Sequence, residues 1–428
     1  MKKKQMVFIM MIMILVFVAQ AASIPFTYLK KSSMVDKVMK IIEDNFVGLT
    51  DTVEVHENEL IYGAIEGMLK TLDDPYTRFM RPDSYKEMQE ETTGTFGGVG
   101  IIITNKEEKL MVVSPIEGTP AWRAGVRPGD IIYKIDGEPS AHMHTMDATK
   151  KIKGPIGTVV TLTLKRTSKN GEDKFVDVDI KRDTIKVSTI SQSGTIKDHI
   201  GYIRISNFGA RTGSEFKEEL EHLVNTAHVD ALILDLRSNP GGLLNTAVEV
   251  ASHLLKAGQT VVSIKGKNEE EVSYPVYRDG NLDLPLAVLV NEGSASGSEI
   301  VAGALKDLKR GVLIGTKTFG KGVVQTVIPL DNGSAMAVTT AKYYTPSGVC
   351  IQGTGIEPDI LIEMPEPTEE ILKQIQKERE ENFKKEQDKI YEREQGKIIN
   401  VDIPSYDNQL RETIQILEGA AIFSKIKK

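Results

Sequence analysis

The sequence predicts an α/β protein with a small β-rich domain inserted into it and helical regions at both ends. Three observations carry this. Between residues 199 and 362, strand-like runs alternate with helix-like runs, the pattern of a largely parallel sheet covered by helices. From Gly94 to about Asp183, short alternating strands and turn signals dominate. Residues 33–90 and the segment after Pro367 carry apolar residues at helical spacing. With 428 residues the chain exceeds one ordinary core, so several domains are expected. The bounds read as 1–26 for a targeting segment, 27–92 for a helical region, 93–185 for the β-rich insert, 186–365 for the α/β core and 366–428 for a helical tail.

The N-terminus has the three parts of a secretory signal. Lys2, Lys3 and Lys4 precede an unbroken apolar run from Met6 to Ala19, and Ala19-Gln-Ala21 fits a small-x-small cleavage site. Ala21, Ala22, Ile24, Pro25 and Phe26 extend the run, so an uncleaved membrane anchor fits as well. Residues 1–26 therefore predict an exported, membrane-targeted protein working on the extracytoplasmic face of a bacterial envelope. The single cysteine, Cys350, fits that compartment better than it fits a disulfide-stapled secreted domain.

The next region reads as helices, with Val35, Val38, Ile41 and Ile42 on one face and Leu60, Ile61, Ala64, Met68 and Leu69 on another. Leu72-Asp-Asp-Pro-Tyr-Thr-Arg-Phe79 breaks that pattern. In the insert, Leu110–Val113, Ile131–Ile135 with its Asp136-Gly137 turn, and Val159–Lys165 read as strands, and Met146–Ile152 as a helix. In the core, strands are expected at Ile200–Ile205, Ala231–Leu236, Val261–Ile264, Leu286–Val290 and Gly311–Gly315, and helices at about 213–226, 243–256 and 297–308. Glu369 to Arg393 is dense in both charges with a thin apolar stripe, which fits a solvated helix and an interaction helix equally. Cys350, inside the alternating run Ser347–Gln352, reads as a small buried residue of a strand.

Composition excludes some functions. A net charge of −7 argues against a general nucleic-acid binder, so no nucleic-acid partner is expected. H-E-x-x-H and paired cysteines are absent, and His142-Met-His144 lies in a polar stretch, so neither metal nor cofactor is expected.

Two strand-to-helix turns can do chemistry. Leu236 leads into Arg237-Ser-Asn-Pro-Gly-Gly-Leu243, where consecutive glycines and a helix N-terminus can aim N–H groups at a ligand. Val290 leads into Asn291-Glu-Gly-Ser-Ala-Ser-Gly-Ser-Glu299, where a serine stands at the geometry that a nucleophile with an oxyanion hole requires. Such a serine needs a base. The seven histidines, His253 among them, fall in no triad motif. The other option is Lys321, held in Gly320-Lys-Gly322; it can serve only if desolvation makes its amine neutral near pH 7. Gln325 follows four residues on. Gly315-Thr-Lys-Thr-Phe-Gly-Lys-Gly322 also nearly matches a phosphate-binding loop, but Gly322 stands where the magnesium-ligating hydroxyl belongs.

Taken together and in this order, Leu72–Phe79, Leu236–Leu243, Gly293-Ser-Ala-Ser-Gly-Ser-Glu-Ile300 and Thr318-Phe-Gly-Lys-Gly-Val-Val-Gln325 resemble the carboxyl-terminal processing peptidases. The resemblance covers nearly all of the mature chain. It implies a crotonase-like (Clp-peptidase-like) α/β core and a Ser–Lys dyad. By motif position it makes Ser296 the nucleophile, Lys321 the base and Gln325 the residue that orients it. The oxyanion hole then corresponds to the N–H groups of Gly242 and Gly297. Glycine at 297 departs from the alanine common in the family, which keeps the N–H and loosens the turn. Ser114–Ile131 is similar to bacterial PDZ sequences. This makes Gly98, Val99, Gly100 and Ile101 the loop that catches a peptide's C-terminal carboxylate. Lys153-Gly154 replaces the family's Arg-Gly, and a lysine cannot reproduce contacts of a planar guanidinium. The resemblance further implies polypeptide substrates with unstructured C-termini and a homodimer through the helical termini. A Ser-His-Asp hydrolase on a similar core and a catalytically idle envelope PDZ adaptor are the alternatives.

Overall fold

The computed structural model describes residues 26–47, 57–106, 109–116, 118–167, 172–268, 270–280, 284–365, 368–369, 371, 373 and 399–426. Nearly all of the segment read as signal or anchor, and most of the charged helix expected over 369–393, lie outside those residues. Among the described residues, no helix is long and apolar enough to cross a membrane.

The chain divides into two compact units, Met1–Tyr85 with Gln325–Thr339, and Lys86–Val324 with Thr340–Lys428. In the first, helices span Phe26–Asn45 and Glu57–Lys70, and the strand Arg78–Met80 pairs antiparallel with Ala335–Ala337. Tyr62 is buried there, with Phe79 against its ring at 5.1 Å and the Arg81 guanidinium over it. The predicted stripe Val35, Val38 and Ile41 of the first helix is exposed.

In the second unit, a two-stranded ribbon (Thr95–Gly98 with Asp183–Lys186) flanks the β-rich insert in sequence. Inside it a sheet runs in the order Ile101–Lys106, Lys109–Pro115, Ile131–Ile135, Val159–Thr167, Asp173–Lys181, all antiparallel. The helix Thr145–Ile152 packs on it, and inward residues such as Val112, Ile132, Leu162 and Leu164 form a separate core. Arg182 closes that helix from below. Its guanidinium donates to the carbonyls of Lys151, Ile152 and Val159 and to the Thr158 hydroxyl, satisfying last-turn carbonyls that a helix leaves open.

The α/β core is a six-stranded sheet in the order Ile190–Ile196, Ile200–Ile205, Ala231–Asp235, Leu286–Val290, Val312–Gly315, Ile360–Leu361. The first pair is antiparallel and the rest are parallel. Strand residues alternate between two cores, as a period of two requires. Ile203, Leu232, Leu234, Val288 and Val290 pack with the crossover helices Thr212–Asn225, Leu244–Ser252 and Gly297–Asp307. Tyr202, Ile233, Ala287 and Leu289 pack instead with Leu410, Ile414 and Leu417 of the C-terminal helix Asn408–Ile426.

Two expectations need correction. Val261–Ile264 is not in the parallel sheet. Thr260–Gly266 turns straight back to Glu271–Pro275 and pairs antiparallel with it and with Ala341–Tyr344, because no crossover helix follows it. Cys350 is half-exposed rather than buried in a strand. The chain turns at Thr345–Val349, around Pro346, and Cys350 keeps only an isolated bridge to Tyr344.

Candidate active site

The two turns chosen from the sequence leave neighbouring parallel strands on the same side of the sheet and are laced together. Asn291 Oδ1 accepts the N–H of Ser238 (2.7 Å) and of Gly293 (3.1 Å). The Ser294 hydroxyl donates to Leu236 O (2.8 Å) and that of Ser298 to Asn239 O (2.9 Å). Ala295 N–H also reaches Asn239 O. Ser294 and Ser298 are fully buried in this lacing, while Ser296 is half-exposed. Ser296 has φ 52°, ψ −111° and stands immediately before the helix Gly297–Asp307. A non-glycine residue held at positive φ is strained, as expected of a side chain pushed out at a tight functional turn.

The glycine pair sets the spacing of the turns. Gly241 (φ 99°) comes so close that a Cβ there would lie 2.7 Å from both Ser296 Cβ and Gly297 N. A Cβ on Gly242 (φ 147°) would lie 2.2 Å from Phe208 O. Glycine is the residue that fits both positions. The sequence Gly241–Gly242 thus runs alongside the start of the helix, whose first N–H belongs to Gly297.

Lys321 reaches the same place through Glu299. This residue is fully buried in the first turn of the helix. One carboxylate oxygen accepts the Thr318 hydroxyl (2.6 Å) and Gly320 N–H (2.7 Å). The other accepts the N–H groups of Ser296 and Lys321, both at 2.9 Å. The backbone nitrogens of Ser296 and Lys321 are therefore within twice that distance of each other. Tyr343, also buried, adds a second tie: its hydroxyl contacts Lys321 O and lies 3.2 Å from Ser296 O. The same contacts dispose of the phosphate-loop reading. The N–H groups of Gly320 and Lys321 are given to Glu299, and that of Gly322 to Gln352 Oε1, so they do not form an open anion cradle.

Gln325 belongs to the other unit, where its amide donates to the Tyr76 carbonyl. His253 follows the helix Leu244–Ser252, at the opposite end from the glycine turn. Ten residues at about 1.5 Å rise put it roughly 15 Å from Leu243. Burial holds its imidazole below the ordinary value, against the pull of Glu249. In the insert, Gly98 ends one strand and Ile101 begins the next. The Val99 side chain is buried in the insert's core, and the carbonyls of Val99 and Gly100 accept Ala121 and Ile116 N–H. What this loop can offer a ligand is therefore backbone. His142-Met-His144 gathers no further ligands, and among the described residues no cluster suited to a metal ion occurs.

Sequence reasoning missed Glu299 and Tyr343. Glu299 had a signal: an acid three residues after a serine that precedes a helix is the acidic half of a capping box. It also missed a charge cluster beneath the glycine turn. Burial pushes Asp235 up, but the Arg237 guanidinium outweighs it and holds the carboxyl below its ordinary value. Tyr202, pushed well up by burial and then by Asp235, stays protonated and donates to Asp235 (2.7 Å).

Comparison with known proteins agrees with this architecture. Residues 199–362 match the model of peptidase family S41, residues 111–166 that of a PDZ domain, and residues 18–84 that of the activating protease CtpB N-terminal domain. The carboxy-terminal-processing protease of Bartonella bacilliformis is 44% identical over 316 residues, covering 73% of this chain and 71% of that protein. A probable CtpA-like serine protease of Staphylococcus aureus is 39% identical over 337 residues; the match covers 77% of this chain but only 64% of that relative's length. A solved photosystem II D1 C-terminal processing protease aligns over 77% of this chain and 93% of its own, at 30% identity and a TM-score of 0.44. The family models and the Bartonella relative define a serine peptidase that carries a PDZ domain and acts on polypeptides. The chain belongs to peptidase family S41, among its carboxy-terminal-processing proteases.

Proposed function

We propose that this peptidase cuts polypeptides through a Ser296–Lys321 dyad, after its PDZ domain has captured the unstructured C-terminus of the substrate. The observation that carries the dyad is the single Glu299 oxygen that accepts both backbone N–H groups. It fixes the nucleophile turn and the lysine loop to one point. The neutral Lys321 amine takes the Ser296 hydroxyl proton as Oγ attacks the peptide carbonyl. The developing oxyanion is met by the N–H groups of Gly242 and Gly297. The protonated amine then gives its proton to the leaving nitrogen, and the C–N bond breaks. Water, deprotonated by the same amine, releases the acyl group and restores Ser296. The sequence motif alone adds Gln325 as the residue that orients the amine. The distance of His253 from the glycine turn argues against that histidine as the base.

Delivery by the PDZ domain is supported by topology. Ile101–Lys106 is an edge strand of its sheet, so a peptide can add beside it, with its terminal carboxylate at the Gly98–Ile101 backbone. Residues 1–26 target the protein to the membrane for export, and it works on the extracytoplasmic face of the bacterial envelope, either membrane-anchored or secreted. The exposed stripe Val35, Val38 and Ile41 supports a homodimer through the helical termini.

The test is fragment analysis. An unstructured polypeptide is incubated with wild type and with Ser296→Ala, and products are identified by mass spectrometry. Wild type yields discrete fragments; the variant yields none while still binding the peptide C-terminus. Fragments at the wild-type rate from Ser296→Ala would refute the assignment.

A further inference from the structure

The turn carrying Gly242 begins at Arg237, and Arg237 is held by the C-terminal segment. Its side chain is 8% exposed, between Asp235 (0%) and Asp407 (9%). On one side, Nε and Nη2 donate to the Asp235 carboxylate at 2.6 to 3.1 Å. On the other, Nη1 and Nη2 each donate to one oxygen of Asp407, both at 2.8 Å, and Nη1 also reaches Gln409 Oε1 at 3.1 Å. This is the two-pronged fork that only arginine offers a carboxylate. Asp407 lies 170 residues downstream, immediately before the helix Asn408–Ile426. Its Oδ1 also accepts Leu410 N–H at 2.9 Å, as an N-cap side chain does. Gln409 is pinned in turn, donating to Ile362 O at 2.7 Å.

Such a cluster is a poor device for stability alone, since buried ion pairs are often matched by apolar packing of similar volume. Its product is fixed geometry. The residue after Arg237 is Ser238, at φ 56° and tied to Asn291; next comes Asn239, whose side chain spans from Ile205 O to Gly241 N–H. A shift of Arg237 is therefore passed to Gly241 and Gly242.

We propose that Asp407, assisted by Gln409, is a positioning residue for the oxyanion-binding turn, acting through Arg237. The C-terminal helix, covering the sheet face opposite the crossover helices, thereby becomes part of the catalytic apparatus. The inference rests on the reading of Ser296 as nucleophile and Gly242 as oxyanion donor. It predicts a defect specific to the transition state. An oxyanion donor typically contributes roughly 10²–10³ in rate, and loosening the support behind one should forfeit about tenfold.

The test uses the full chain with Asp407→Asn, which keeps an N-cap oxygen for Leu410 and the side-chain volume, and Gln409→Met, which leaves Asp407 in place and removes the 3.1 Å contact to Arg237 together with the 2.7 Å bond to Ile362 O. Peptide cleavage and affinity for a peptide boronate, which forms an anionic tetrahedral adduct on the serine, are measured where circular dichroism shows both variants folded. Asp407→Asn should lower kcat about tenfold with KM within about twofold, and boronate affinity should fall by the same factor as kcat. Gln409→Met should shift both in the same direction by less. If Asp407→Asn fails to fold, Gln409→Met decides by the same comparison. Wild-type kcat, or a loss of kcat with boronate affinity unchanged, overturns the proposal. Ser296→Ala is run in parallel. If it still cleaves, the reading of the site and this inference both fall; if it is inactive and Asp407→Asn matches wild type, only the positioning role falls.

Discussion

Replacing Glu299 by glutamine changes one carboxylate oxygen into an amide nitrogen with almost no change in size. The carboxylate accepts four donors: Thr318 Oγ1 and Gly320 N on one oxygen, Ser296 N and Lys321 N on the other. Glutamine keeps one acceptor oxygen, so two of the four donors must meet an NH₂ group instead. If the amide nitrogen faced Ser296 and Lys321, two N–H groups would lose a charged acceptor, at about 1.5–3 kcal/mol each. If it faces Thr318 and Gly320, the threonine oxygen, which already accepts Ile356 N–H, can take one amide hydrogen on its second lone pair, while the Gly320 N–H and the displaced threonine hydroxyl hydrogen both lose the carboxylate. The second orientation is favoured because that new bond offsets part of the loss, and the expected destabilisation is at least about 1.5–3 kcal/mol. That is a fraction of ordinary domain stability, so the variant should fold. The unpaired N–H adjoins Lys321, so activity should fall further than the unfolded fraction explains. The assay is a denaturant unfolding curve beside the cleavage rate of an unstructured polypeptide. A wild-type midpoint together with a wild-type rate would mean that the carboxylate does not hold these loops together.

The other perturbations probe separate parts of the chain. Arg182→Met removes donors to three carbonyls and a hydroxyl at the end of the Thr145–Ile152 helix and should destabilise the PDZ domain by about 2–4 kcal/mol, read as lower thermal stability and weaker C-terminal peptide binding; a melting curve superimposed on wild type would contradict this. Gly241→Ala puts a Cβ 2.7 Å from Ser296 Cβ, Ala295 O and Gly297 N at φ 99°, so cleavage should fall at least tenfold, as a misplaced reacting group implies; an unchanged rate would refute the close packing of the two turns. For His253, burial depresses the folded value against Glu249 and the hydrogen bond with the Gly213 backbone, with Glu221 also raising it and Lys217 lowering it. The unfolded chain binds this proton first, so stability is full above the ordinary value of 6.5 and declines as pH falls from there towards the lower folded value. His253→Gln should flatten that segment of the stability–pH curve, and an unchanged slope would count against the burial argument.

Much of the core was legible because its elements carry strong local signals. The strand Leu286–Val290 is an unbroken apolar run, and the crossover helices show clear periodicity, so their observed limits fall within a few residues of expectation. The strand Thr260–Gly266 was assigned to the wrong sheet because a short apolar run has the same appearance in a parallel crossover and in a hairpin. Glycines and serines marked both functional turns, since tight backbone approaches leave a compositional trace. The residues that hold the turns left little trace. Glu299 had only its capping position, Tyr343 lies in a strand far along the chain, and Asp407 is a single acid 170 residues from Arg237. Such pairings are made by the tertiary fold, and one sequence carries no record of them.

The central claim is that Lys321, and no histidine, activates Ser296. The most direct measurement is the initial rate at which Lys321→Ala cleaves an unstructured polypeptide, set against Ser296→Ala and wild type, with all three shown to be folded. Loss of the general base should lower the rate by at least about 10²-fold, leaving Lys321→Ala close to the Ser296→Ala background. Cleavage by Lys321→Ala within tenfold of wild type, with Ser296→Ala inactive, would show that another group takes the serine proton.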